Sequence, residues 1–158
     1  MNSFIGEYEC KLDPKGRLII PVSLKKQISP DANETFVVNR GFESHLNLFP
    51  LNEWKKIASR ISRLNLFVKR NRDFIRKFNN GATELSMDLN SRILVPKSLL
   101  DYAGIDKDAV LFAYSNRIEL WAKDKYERML GDDAGSFSDL AEEVMGGIND
   151  AGNDDQIS

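Results

Sequence analysis

The sequence predicts an α+β fold: a small β-barrel shared by two interleaved repeats, each running strand, strand, helix, hairpin, and related by a pseudo-twofold axis. A helical hairpin joins the repeats, and an acidic tail follows them, disordered apart from a short helix at 140–145. Three observations predict this. A nine-residue motif occurs twice, DPKGRLIIP at 13–21 and DLNSRILVP at 88–96, with its Asp, Arg and Pro all displaced by 75 positions. Between the copies, the basic segments 51–63 and 68–78 have helical periodicity, with Leu51, Trp54, Ala58 and Ile61 on one apolar stripe and Phe67, Phe74 and Phe78 on another. From about residue 131 onward Gly, Asp, Ser and Asn dominate.

In chain order, residues 7–12 alternate polar and apolar, as a half-buried strand does, and Cys10 points inward as a small core residue. Asp13-Pro14-Lys15-Gly16 carries turn chemistry: Pro14 presets φ, Asp13 can bind downstream amides, and Gly16 tolerates positive φ. Apolar runs without alternation at 18–20 and 93–95 predict short strands buried on both faces. Pro21 and Pro96 suit the first turn of a helix, where the missing amide costs nothing. Arg17 and Arg92 therefore sit where a loop enters a strand, on a buried scaffold yet near solvent.

The rest of each repeat follows the same order. A helix is expected over 22–28, strands over 35–39 and 46–49, and in the second copy strands over 83–87 and 92–95, a helix over 98–102 stopped by Gly104, and a hairpin of 110–113 with 118–121. Leu48-Phe49 aligns with Leu120-Trp121, and Trp54 with Tyr126, at an offset of 72. The three missing residues fall in the loop between helix and hairpin, where length is cheap. The expected organisation is a first repeat at 7–54, a basic helical connector at 55–80, a second repeat at 83–126 and the tail at 131–158. A repeat of roughly 50 residues is marginal alone, so the two must share a core.

Charge narrows the function. The chain carries −2 and residues 131–158 carry −8, so residues 1–130 carry +6. Nine cationic residues against Asp73 alone lie between Lys55 and Lys77. Basic helix faces of this kind are either solvated or in contact with phosphate or another subunit, and a polyanion is a natural partner. One cysteine and one histidine, Cys10 and His45, rule out an intrachain disulfide and a Cys-rich zinc site, so no metal, cofactor or catalytic residue is expected. His45 reads as a surface or hairpin residue. No apolar run approaches the ~18 residues of a membrane span, and the N-terminus has no secretory pattern, so a cytoplasmic location is expected.

The doubled Asp-x-x-x-Arg-apolar-apolar-apolar-Pro motif, the endings LFPLNEW at 48–54 and RIELW at 117–121, and GATE at 81–84 together resemble the MraZ family over residues 4–130. That resemblance implies a fold similar to the AbrB and SpoVT transcription factors, with the swapped-hairpin unit supplied twice by one chain. It implies a nucleoid-associated, DNA-binding regulator of the operon for cell division and cell-wall synthesis, assembled as a closed homo-oligomeric ring on double-stranded operator DNA with direct repeats. By the same resemblance the DNA-binding residues are Lys15, Arg17 and Arg92. The second motif departs from the fuller pattern, with Asn90 in place of Lys15 and Ser91 in place of Gly16. The first motif is therefore expected to be the main reader, and Arg92 a weaker contact or a structural residue.

The residue chemistry agrees. A guanidinium fork matches guanine O6 and N7 or a phosphate, whereas a lysine is a mobile point charge suited to phosphate. Two other readings stay open on the residues. Arg17 and Arg92 can simply pair with Asp13 and Asp88, leaving an oligomeric scaffold or protein-interaction module whose basic helices and acidic tail serve partner proteins. An enzyme is the third reading, without a nucleotide-type Gly loop or an elbow nucleophile to support it. No small-molecule ligand is evident. The acidic tail is expected to aid solubility or to compete with nucleic acid for the basic surface.

Overall fold

The structure, a computed structural model, describes residues 3–131 and 136–155, with side chains described as far as residue 147. Two compact units divide the chain, Met1–Tyr126 and Glu127–Ser158. In the first, the motif strands are β2 (Arg17–Ile19) and β6 (Arg92–Leu94), preceded by β1 (Phe4–Lys11) and β5 (Thr83–Ser86). Short helices follow, α1 (Val22–Lys25) and α4 (Lys97–Ala103), then the hairpins β3 (Thr35–Arg40) with β4 (Leu46–Pro50), and β7 (Asp108–Ser115) with β8 (Arg117–Ala122). The connector holds α2 (Leu51–Ile61) and α3 (Lys69–Asn79), and α5 (Lys123–Gly131) follows β8. Pro21 and Pro96 sit one residue before α1 and α4, at the N-cap, rather than inside the first turn. Gly104 ends α4 with φ +66°, a left-handed cap that glycine adopts without penalty.

The repeats exchange strands. One antiparallel sheet runs β1-β7-β8-β4-β3-β5, so the first strand of each repeat pairs with the hairpin of the other. At its centre β4 pairs with β8, Asn47 opposite Glu119, two positions related by the offset of 72. A second sheet consists of β2 and β6 alone, Leu18 opposite Ile93, related by the offset of 75. The pseudo-twofold axis thus passes through both pairings. One continuous core includes Leu18, Leu24, Phe36, Leu48, Ile93, Leu99 and Leu120 from both repeats, and Cys10 packs against it. Burial pushes the Cys10 thiol up to about 11, as an inward-facing strand residue should show.

Four expectations need correction. The sheet is not closed into a barrel: β2 and β6 are three residues long and form a separate ribbon, with one isolated bridge from Leu18 to Leu12, so no ladder joins the edges β1 and β5. The β1 edge is blunted instead by Gln27, whose side-chain amide accepts from the Ile5 N–H at 3.0 Å and donates to the Ile5 carbonyl at 2.9 Å. The motif strands are buried on one face only, since Ile19 and Leu94 are 60% and 56% exposed. The tail helix is longer than the segment expected at 140–145. Helix α6 (Phe137–Asp155) extends well beyond a single short turn, with Ser136 Oγ accepting from the Asp139 N–H at 3.2 Å at its start. Its apolar residues Phe137, Leu140, Ala141, Val144 and Met145 fall at i, i+3, i+4, i+7 and i+8, a helical stripe that the Gly- and Asp-rich composition hides. Positions 132–135 and 156–158 of the expected tail lie outside the described residues.

His45 is the fourth. It lies in the connection between β3 and β4, as expected of a hairpin residue, but not at the surface: it is 3% exposed and stacked on Trp121 with ring centroids 4.5 Å apart. Its Nε2 lies 3.1 Å from Asn47 Oδ1 and 3.3 Å from Glu119 Oε2, beside the pseudo-twofold axis. Burial alone would raise the Glu119 carboxyl, but hydrogen bonds from His45, Trp121 and Tyr114 hold it below the usual carboxylate range. The imidazole is thereby committed to joining the two hairpins.

Candidate nucleic-acid interface

Both motif loops are built by one carboxylate each. Asp13 Oδ1 accepts from the backbone N–H groups of Lys15 at 3.0 Å and Arg17 at 2.8 Å, and Oδ2 accepts from Arg17 Nε at 2.5 Å. Asp88 repeats this bond for bond with Asn90 N–H at 2.8 Å, Arg92 N–H at 2.9 Å and Arg92 Nε at 2.9 Å. The turn then closes on its backbone, Gly16 N–H to the Asp13 carbonyl at 2.9 Å and Ser91 N–H to the Asp88 carbonyl at 3.0 Å. Each loop is also tied to the other repeat: Val95 N–H donates to the Gly16 carbonyl and Ile20 N–H to the Ser91 carbonyl. Neither loop is therefore complete without its partner.

The turns need a positive φ at their fourth residue. Gly16 takes +86°, and a Cβ there would come within 3.1 Å of the Val95 carbonyl oxygen. Ser91 takes +60°, a conformation that strains a residue with a side chain. Lys25 Nζ donates to Ser91 Oγ at 2.8 Å and helps to hold it. Lys25 was not singled out by the sequence, because nothing in the spacing of α1 shows that it reaches the opposite loop.

The pairings place the Arg side chains. Leu18 and Ile93 point into the core, so alternation turns Arg17, Ile19, Arg92 and Leu94 outward on one face, Arg17 opposite Leu94 and Ile19 opposite Arg92. Arg17 and Arg92 are about one-third exposed. Each is held by Nε to its Asp, which fixes the plane of the guanidinium while the terminal nitrogens lie beyond the bond to the carboxylate. Pairing with Asp and presentation to solvent are thus compatible. Lys15 is an exposed residue at the first turn, next to Arg17.

The carboxyls of Asp13 and Asp88 are held below their usual range, chiefly by the backbone N–H of Arg17 and of Arg92 respectively. A lowered carboxyl stabilises the fold above its ordinary value and loses that contribution as pH falls through the lowered one. Both loops are accordingly formed at neutral pH and loosen only in acid. Asp13→Ala should remove the acceptor for three donors at once. Amide exchange at Lys15 and Arg17 is expected to rise to that of an open loop while Asn90 and Arg92 keep their protection; unchanged exchange at Lys15 and Arg17 would contradict this.

The connector has a different character. Trp54 stacks on Phe78 at 5.4 Å, nearly parallel, and Phe78 lies 5.6 Å from Phe74, so the expected apolar stripes meet there. Phe67 does not join them: it is 95% exposed in the turn between α2 and α3, beside exposed Leu66 and Val68. Lys69 and Arg76 pair with Asp73, which makes part of the basic face self-satisfied. Among the described residues there is no cluster of potential metal ligands, and no helix is long and apolar enough to cross a membrane.

These features define a class: a chain of two repeats that complete each other's sheet and carry one Asp-braced Arg loop apiece on a shared two-stranded ribbon. The family model described as "MraZ protein, putative antitoxin-like" matches residues 3–77 and 78–146. The chain belongs to the MraZ family. The second matched segment runs into α6, past the limit of residue 130 drawn from the motifs. A protein of Flavobacterium psychrophilum named "Transcriptional regulator MraZ" is 48% identical over 151 residues, covering 95% of this chain and 96% of that one. One of the same name from Christiangramia forsetii is 48% identical over 147 residues, covering 92% and 95%. A third, from Natranaerobius thermophilus, is 37% identical over 142 residues, covering 90% and 96%.

Proposed function

We propose that the protein is a sequence-specific DNA-binding transcriptional regulator that acts as a closed homo-oligomeric ring on double-stranded operators with direct repeats. The observation that carries this reading is the ribbon face, where two Asp-braced guanidinium groups stand outward from a rigid shared core. Arg17 and Arg92 read base edges, and Lys15 anchors a phosphate beside Arg17. The names of the relatives, transcriptional regulators, support the same assignment. By family resemblance the target is the chain's own cell-division and cell-wall operon, which places the protein in the cytoplasm at the nucleoid.

Two guanidinium groups per chain make few contacts, so several chains must act together for tight binding. The exposed Leu66, Phe67, Val68 and Phe74 of the connector supply an apolar surface for contact between copies. Phe67→Asp is expected to lower the mass of the assembly in solution without changing the thermal transition of the Met1–Tyr126 unit; an unchanged mass would remove Phe67 from the contact. The function is tested by footprinting DNA upstream of the chain's own gene at two salt concentrations. Protection of evenly spaced sites that weakens steeply with salt is expected, whereas no salt-sensitive retention would leave the scaffold reading in its place.

A further inference from the structure

The ribbon exposes more than charge. Ile19 and Leu94 stand on the same outward face as the arginines, each directly across from one of them, at the separation of cross-strand neighbours. Both are more than half exposed, although an equivalent position one residue away on either strand, Leu18 or Ile93, is fully buried. The face is thus a checkerboard of two guanidinium groups and two branched aliphatic chains, repeated about the pseudo-twofold axis. Lys15 flanks it at the first turn, and Lys25 reaches the second turn through Ser91.

A cationic rim around two aliphatic groups favours a polyanion with apolar points on its surface. In duplex DNA the major groove offers one such group, the thymine C5-methyl, and admits a two-stranded ribbon. We propose that Ile19 and Leu94 are specificity-determining residues that contact thymine methyl groups in the major groove, each within a base step or two of the guanine read by the arginine opposite. This rests on the reading of the ribbon as the DNA-facing surface and names what that surface recognises besides guanine. The two groups are related by the axis, so the preferred site holds two thymine positions in inverted arrangement under each chain.

The experiment uses the full chain. A duplex pool with a random central segment is enriched by binding, then recopied with deoxyuridine in place of thymidine, which removes every C5-methyl and keeps the base-pairing groups. The unaltered chain is expected to bind the uracil pool about tenfold more weakly, the loss of two small apolar contacts. The double variant Ile19→Ser with Leu94→Ser should bind both pools alike, and its thermal transition should be unchanged because neither side chain is in the core. Equal binding of the two pools by the unaltered chain overturns the proposal, and that comparison needs no variant. Full discrimination retained by the double variant overturns it too, since the methyl effect would then arise from DNA shape. If the variant alters the mass of the assembly but not the choice between pools, the face is a protein contact. Failure of any sequence to enrich would instead remove the DNA reading itself, and the proposal with it.

Discussion

Leu18→Ala is expected to lower the stability of the whole Met1–Tyr126 unit by about 2–5 kcal/mol, in one cooperative transition. Leu18 is fully buried and sits opposite Ile93 at the pseudo-twofold axis, where the two repeats meet. Its methyl groups contact a core drawn from both halves, so the cavity belongs to neither repeat alone. Ile93→Ala should cost a similar amount, and the double variant should cost less than the two together because the side chains share one space. Denaturant unfolding followed by fluorescence measures this. Two separate transitions, or a loss below about 1 kcal/mol, would show that the halves have independent cores.

Arg17→Ala is expected to weaken specific DNA binding by about 1–3 kcal/mol while the thermal transition moves little. The guanidinium is braced by a single Nε bond at the surface, so folding does not depend on it as it does on Leu18. Arg92→Ala should have the smaller effect. Its loop carries Asn90 where the first carries the exposed Lys15, and the cation that reaches it, Lys25, is engaged with Ser91 Oγ. Equal losses from the two variants would mean that the symmetry of the ribbon outweighs the difference between the loops.

Most of the element order was legible because it was written twice. The Asp, Gly and Pro signals of 13–21 and 88–96 specify local geometry that needs no distant partner, and Asp88 reproduces the hydrogen bonds of Asp13. The outward aliphatic groups were not legible. A run such as Leu18-Ile19-Ile20 is apolar throughout, and only the pairing with β6 shows that Ile19 faces solvent. Closure of the barrel was overestimated for a related reason, since it depends on what the edges β1 and β5 meet across the fold. The burial of His45 was not legible because its partners Glu119 and Trp121 lie more than 70 positions away. The tail helix was legible only at 140–145, because the Gly- and Asp-rich letters on either side hide how far α6 extends.

The central claim is that two braced guanidinium groups on the ribbon discriminate among DNA sequences. It is tested most directly by the affinity of the chain carrying both Arg17→Ala and Arg92→Ala, measured on a footprinted duplex and on a scrambled duplex of the same length at one salt concentration. The expected result is that the preference for the footprinted duplex falls nearly to unity while weak, salt-dependent binding to both persists. A double variant that still prefers the footprinted duplex as strongly as the unaltered chain would contradict the account.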